Sequence, residues 1–267
     1  MELLQPSDAA TGVFIHGGTE VVPQLRDGLI VTGQLIDVRE VVPRGVQDGV
    51  IGAGTTLAEL EIDPQIPDAL REACRLAASP QLRNMSSLGG NLLQSTRCWY
   101  WRLKYPCRLH GGDTCFARDG EHREHAIFAN DYCASAHPSD VAAALLACDA
   151  RVRTDRREFG IGELYRVPTA DDRDVTRLEP GELIREIELP PVERSVYLKA
   201  MDRKRWSFPQ VGVAAAIVEE KTRVALAGVA PVPWLHTFFD DATPLPRTEW
   251  KVAVARALVD RALAALQ

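Results

Sequence analysis

The sequence predicts an α+β protein: a two-lobed α/β unit over about residues 1–170, then a smaller sheet-plus-helix unit over 171–267. Three observations predict it. Short apolar strands alternate with glycine turns and amphipathic helices through the first half, a polar, proline-containing stretch from Val167 to Pro180 interrupts them, and consecutive antiparallel strands then lead into one terminal helix. A hydrophobic content of 46% beside 25% charged residues is a globular composition, which excludes disorder, collagen and coiled coil. No internal repeat or low-complexity tract is present.

The first lobe, about residues 1–54, begins with the apolar strand Val13-Phe-Ile-His16. It turns at Gly17-Gly18-Thr19 into a short helix over Glu20–Arg26, closed by Asp27-Gly28. Gln34–Val38 and Gly49–Ala53 read as two further strands. The second lobe, about residues 55–170, opens with a helix at Thr55–Leu60 and continues with one over Asp68–Ser79, whose apolar face carries Cys74. A second glycine turn, Ser86-Ser-Leu-Gly-Gly-Asn91, leads into a cysteine-rich insert, residues 92–138, with little periodicity. Pro138-Ser-Asp140 caps the helix Val141–Cys148, because serine and aspartate side chains accept from its free N–H groups. In the second unit Leu183–Leu189, Ser195–Asp202, Val211–Glu219 and Arg223–Ala230 read as antiparallel strands, the last two joined at Glu220-Lys-Thr222. The final helix, Trp250–Gln267, sets Val252, Ala255, Val259, Ala262, Leu263 and Leu266 on one broad face.

Charge and hydropathy narrow the function classes. Thirty-one basic against 37 acidic side chains leave a net charge of −6, and no basic run exceeds Arg203-Lys204-Arg205, which argues against a nucleic-acid partner. The longest apolar runs, Val211–Val218 and Val141–Cys148, are far short of the roughly 20 residues of a membrane-spanning helix, so no membrane span is expected. Met1-Glu-Leu-Leu-Gln-Pro6 has neither the basic start nor the apolar core of a secretory signal, and the expected compartment is the cytoplasm. Six cysteines there are thiols, metal ligands or redox groups, not a disulfide framework.

The chemistry-bearing candidates fall in three groups. The glycine pairs Gly17-Gly18 and Gly89-Gly90 let the backbone approach a ligand closely, and successive N–H groups can cradle a pyrophosphate. Neither has the GxGxxG spacing of a dinucleotide fold, so spacing does not name the ligand. Cys98, Cys107, Cys115 and Cys133 are separated by eight, seven and seventeen residues. Such a set can hold zinc or an iron–sulfur cluster, and His110, His122, His125 and His137 keep mixed ligation open; free thiols are the plain alternative. Trp99, Tyr100, Trp101 and Tyr105 crowd the first two cysteines, whereas Cys74 and Cys148 lie on helices and read as core fillers. Glu20, Asp140 and Lys199 stand at strand or helix ends, where a cofactor commonly lies.

These residues resemble a known family, the FAD-binding (medium) subunits of the molybdenum hydroxylases, the xanthine, aldehyde and carbon monoxide dehydrogenase group. The resemblance is carried by Ile15-His-Gly-Gly-Thr-Glu20, Ile51–Leu60, Arg83–Leu92, Pro138-Ser-Asp140, Tyr197–Arg203 and Val211–Ala216, and spans nearly the whole chain. It implies a two-lobed FAD domain of the vanillyl-alcohol-oxidase (PCMH) type followed by a domain like the C-terminal one of the carbon monoxide dehydrogenase flavoprotein. By the same implication Ile15, His16, Gly17, Gly18, Thr19, Glu20 and Val21, with Ser87, Gly89, Gly90 and Asn91, surround the FAD pyrophosphate and ribityl chain. Asp140 binds FAD from its helix start and Lys199 lies near the isoalloxazine. Electrons arrive from a molybdopterin-binding large subunit through a 2Fe-2S small subunit and leave FAD for an external acceptor; the chain would be exported only if a partner subunit carried it. Most of the family runs almost directly from Gly-Gly-Asn to Ser-Asp. The insert resembles that of the sub-group with 4-hydroxybenzoyl-CoA reductase and periplasmic aldehyde oxidoreductase flavin subunits, which implies a 4Fe-4S cluster on Cys98, Cys107, Cys115 and Cys133. His16 departs from the family, which has a small residue there. The alternative reading is a cofactor-poor structural subunit, or a zinc-stabilised binding module, of the same fold.

Overall fold

The computed structural model describes residues 2–4, 12–236 and 238–267; Met1, Gln5 and Pro6 of the opening segment lie outside them. β1 (Glu2–Leu4), β2 (Val13–Ile15) and β3 (Gln34–Asp37) form a three-stranded parallel sheet in the order β1-β3-β2, with α1 (Val21–Arg26) following β2. β4 (Val46–Gln47) and β5 (Val50–Gly52) start the next sheet. α2 (Leu57–Leu60) is opened by a capping box in which Thr56 and Glu59 bond each other's backbone N–H. α3 (Asp68–Leu76), α4 (Pro80–Arg83) and α5 (Leu88–Leu92) follow, then two one-turn helices of the insert, α6 (Trp99–Arg102) and α7 (Phe116–Asp119).

α8 (Asp140–Ala147) is buried at every position, and Ser139 caps it through Ala142 N at 2.9 Å. The five-stranded sheet is completed by β6 (Arg151–Thr154), β7 (Glu158–Gly160) and β8 (Ile184–Glu188), in the order β4-β5-β8-β6-β7. Two boundaries move as a result. β8 pairs Ile187 with both Ile51 and Val152, so the strand expected in the second unit belongs to the first, which ends near residue 190 and not 170. β4 and β5 sit in the second lobe's sheet, so the lobes divide before residue 46 and not at 54.

The second unit is the antiparallel sheet β12-β11-β10-β9, made of β9 (Val192–Ala200), β10 (Val211–Val218), β11 (Lys221–Ala227) and β12 (Trp234–Leu235), with α9 (Trp250–Leu266) against it. β10 explains its own unbroken apolar run. Val211, Val213 and Ala215 point to the core under α9, while Ala214, Ala216 and Val218 point to the core shared with α3 and α8. The β10–β11 turn sits earlier than expected, at Glu219-Glu220, both with positive φ, because Val218 pairs with Lys221. The insert is anchored in the second unit's core. Ile127 and Phe128 are fully buried in the α9 core, with the Phe128 ring stacked on Trp234.

Candidate functional site

Between the two lobes runs a groove of about 290 Å³. One wall is the turn from β2 into α1, another the start of α5, and a third the entry to β8 at Glu182–Ile184. The turns are glycine because each is pressed on a neighbour: a Cβ on Gly17 would run into the Met85 carbonyl, and one on Gly89 would lie 3.1 Å from Ala53 Cβ. Gly18 adds a φ of +71°. The N–H groups of Gly17, Gly18 and Thr19 donate to no other group of the described residues, which leaves a row of donors fit for an anionic ligand.

Of the residues the sequence singled out, His16, Gly17, Gly18, Thr19, Glu20, Val21, Ser87, Gly89 and Gly90 line this groove. Ile15 lies behind the Gly18 turn, and Asn91 holds Ser139 Oγ on its Oδ1 at 2.7 Å. His16 Nδ1 is buried without a partner, and burial with the nearby Arg44 guanidinium keeps the imidazole pKa low. Glu20 faces the insert as well as the groove: its carboxylate takes Arg97 at 2.7 Å, Arg102 at 2.7 Å and the Ser95 N–H at 3.1 Å. The sequence reading missed Glu182, whose buried carboxylate is bonded by Arg157, Thr154 and the Glu179 N–H and falls to a pKa of about 2.

Asp140 and Lys199, expected at the cofactor, do not line the groove. They are buried against each other, Lys199 Nζ to Asp140 Oδ2 at 2.8 Å, with Tyr197 O–H donating to Oδ1 and the Leu76 carbonyl accepting from Nζ at 3.0 Å. The reason is packing: β9 crosses α3 and the start of α8, and a lysine buried there needs an anion.

Cys98, Cys107, Cys115 and Cys133 line one small cavity of about 20 Å³, walled by Tyr100, Trp101 and Phe116. Cys98, Cys107 and Cys115 each stand just before a helical turn, and Cys133 lies on the returning extended chain. Burial pushes the Cys98 thiol up to about 12 and the Cys133 thiol to about 11. Among the described residues no three His, Cys, Asp or Glu side chains are placed to hold a single metal ion between them. His125 Nε2 lies 3.2 Å from Cys98 Sγ, and His122 bonds the Ala117 and Gly120 carbonyls, so neither is spare for the cavity. Cys74 and Cys148 are fully buried elsewhere, as expected of core fillers.

Residues 1–192 match the family described as the FAD binding domain in molybdopterin dehydrogenase. The chain belongs to this family. It is 32% identical over 286 aligned positions to the aldehyde oxidoreductase FAD-binding subunit PaoB of Escherichia coli strain K12, a match that covers 94% of this chain and 90% of that one. Its fold is similar to carbon monoxide dehydrogenase from Hydrogenophaga pseudoflava, with a TM-score of 0.68, 20% identity and coverage of 100% and 96%. Quinoline 2-oxidoreductase from Pseudomonas putida 86 gives 0.66, 14%, and again 100% and 96%. The chain is thus a FAD-binding subunit of the molybdenum hydroxylase type, an oxidoreductase subunit, and the cofactor-poor alternative is not favoured. No described helix is long and apolar enough to cross a membrane.

Proposed function

We propose that this subunit carries electrons between iron–sulfur centres and an external acceptor, with FAD in the groove between the two glycine turns and a 4Fe-4S cluster on Cys98, Cys107, Cys115 and Cys133. The observation that carries the flavin assignment is the groove itself: a first glycine turn with no room for a side chain at Gly17 and a second tightly packed at Gly89, free N–H groups at Gly17–Thr19, and an unpartnered His16 Nδ1 at the same wall. FAD bound there would supply electron transfer that no side chain of the chain provides. The residues would do the holding: backbone N–H groups take the pyrophosphate, and Ser87 and Glu182 shape the walls.

The cluster assignment rests on the donor set, four cysteines and no carboxylate around one aromatic-walled cavity. A cubane places each thiolate on its own iron, so it asks for four sulfurs around a cavity and not for three ligands on one ion. The complex would include a molybdopterin-binding subunit and a 2Fe-2S subunit, and a heterotrimer is the simplest form. The test is anaerobic purification of the co-expressed complex, followed by absorption spectra and metal analysis of the separated chain. Flavin bands with iron and acid-labile sulfide near four per chain (about one cubane) are expected. Absence of flavin would remove the groove assignment, and stoichiometric zinc without iron would remove the cluster.

A further inference from the structure

We propose that His125 is a positioning residue for the cysteine cavity: its Nε2–H donates to Cys98 Sγ and raises the potential at which a cluster held there accepts an electron. The inference deepens the cluster reading above and rests on it. Nε2 lies 3.2 Å from the sulfur, and the residue is 3% exposed. The ring is packed and its backbone is held at both ends. Trp99 meets the ring edge-on at 5.1 Å, the His125 backbone N–H donates to the His122 carbonyl at 2.9 Å, and the His125 carbonyl takes Lys251 Nζ at 2.9 Å. Nδ1 is buried with no partner, so the single proton of a neutral ring belongs on Nε2, facing sulfur.

The four sulfurs are not equivalent. Cys98 has His125 Nε2 at 3.2 Å, while Cys133 has the Ser135 hydroxyl beside it at 3.3 Å. Each N–H aimed at a ligating thiolate stabilises the more negative, reduced cluster over the oxidised one, because the added electron increases charge on sulfur. Cys98 is the cysteine next to Arg97, and Arg97 pairs with Glu20 in the flavin groove. The sulfur that faces His125 therefore belongs to the segment tied to the groove, and His125 biases the one-electron equilibrium between cluster and flavin.

The experiment is redox titration of the purified complex followed by electron paramagnetic resonance, with iron, sulfide and flavin content measured on every sample. His125→Leu is expected to shift the midpoint potential of this cluster downward while the flavin potential stays put. His125→Gln, which keeps an amide N–H near the same place, is expected to restore most of the shift. Wild-type complex with selectively ¹⁵N-labelled histidine should show hyperfine coupling of a histidine nitrogen to the reduced cluster, and this reading survives even if the leucine variant loses its iron. An unchanged potential in iron-replete His125→Leu, or no histidine coupling in the wild type, overturns the proposal. Wild-type complex lacking the cluster altogether overturns the underlying reading instead, and iron analysis tells the two apart.

Discussion

At the scale of single residues, close approach matters more here than charge. Gly17 needs the absence of a side chain because the Met85 carbonyl occupies the space, so the first glycine turn is pressed on the segment leading into the second before any ligand arrives. Gly17→Ala should push the turns apart, cost about 2 kcal/mol as an overpacked site, and empty the groove of flavin. A thermal melt together with the absorbance of the purified chain checks both effects, and full flavin retention at wild-type stability would contradict this account. Lys251 is the other informative residue. It is fully buried, burial pushes its pKa down to about 7, and its Nζ reaches the carbonyls of Glu124, His125 and Gly228 at 2.7, 2.9 and 2.7 Å. In its ammonium form three donors meet three acceptors, and the insert is fastened to β11 and α9 at one point. The sequence did carry a signal: Lys251 precedes Ala255, Val259 and Ala262 at helical spacing on the buried face, and a lone lysine on an apolar stripe asks for a partner.

At the scale of elements, the hairpin of β6 and β7 reaches the groove through its turn, where Arg157 holds Glu182. Hydrogen bonds from Arg157 lower the Glu182 pKa from 4.5 to about 2, so its contribution is complete above the unfolded value and is lost as pH falls from about 4.5 through 2. Glu182→Gln should therefore cost about 2 kcal/mol at pH 7, the range of a hydrogen bond to a charged group. The gap between variant and wild type should narrow steadily below pH 4.5 in urea titrations, and a gap independent of pH would show that the carboxylate's charge is not what stabilises the hairpin. The elements legible from sequence were those whose pattern records their own burial. β10 is apolar throughout because both faces are covered, and α8 is capped and alanine-rich because it lies between layers. β6 and β7 were missed: Arg151, Arg153 and Glu158 are solvent-side partners, and such an edge hairpin is held by ion pairs that no apolar alternation announces. The site shows the same division. The glycine turns could be read locally, whereas the pairing of β8 with β5, which brings Glu182 to the groove, joins segments more than 130 residues apart (an order of separation at which local propensity says nothing).

At the scale of the whole molecule, the two units are joined through a buried charge. The core around α3 and α8 continues into Ala214, Ala216 and Tyr197 of the second sheet, and inside that apolar contact Lys199 meets Asp140 at 2.8 Å with side-chain exposures of 0% and 3%. Tyr197 donates to the same carboxylate, and burial beside it pushes the phenol pKa well above its usual value. These are the residues that the resemblance sends to the flavin, and the two roles predict different variants. As a latch between units, Lys199→Met leaves an anion buried with only a phenol for company, which should cost about 3–5 kcal/mol. Adding Asp140→Asn removes that orphaned charge, so the double variant should be more stable than the lysine variant alone, a sign of coupling that separate sites do not show. Flavin bands in the lysine variant should keep their position and shape wherever the chain stays folded. Were Lys199 instead a flavin contact, the single substitution would move the flavin spectrum with little change in melting temperature, and Asp140→Asn would rescue nothing.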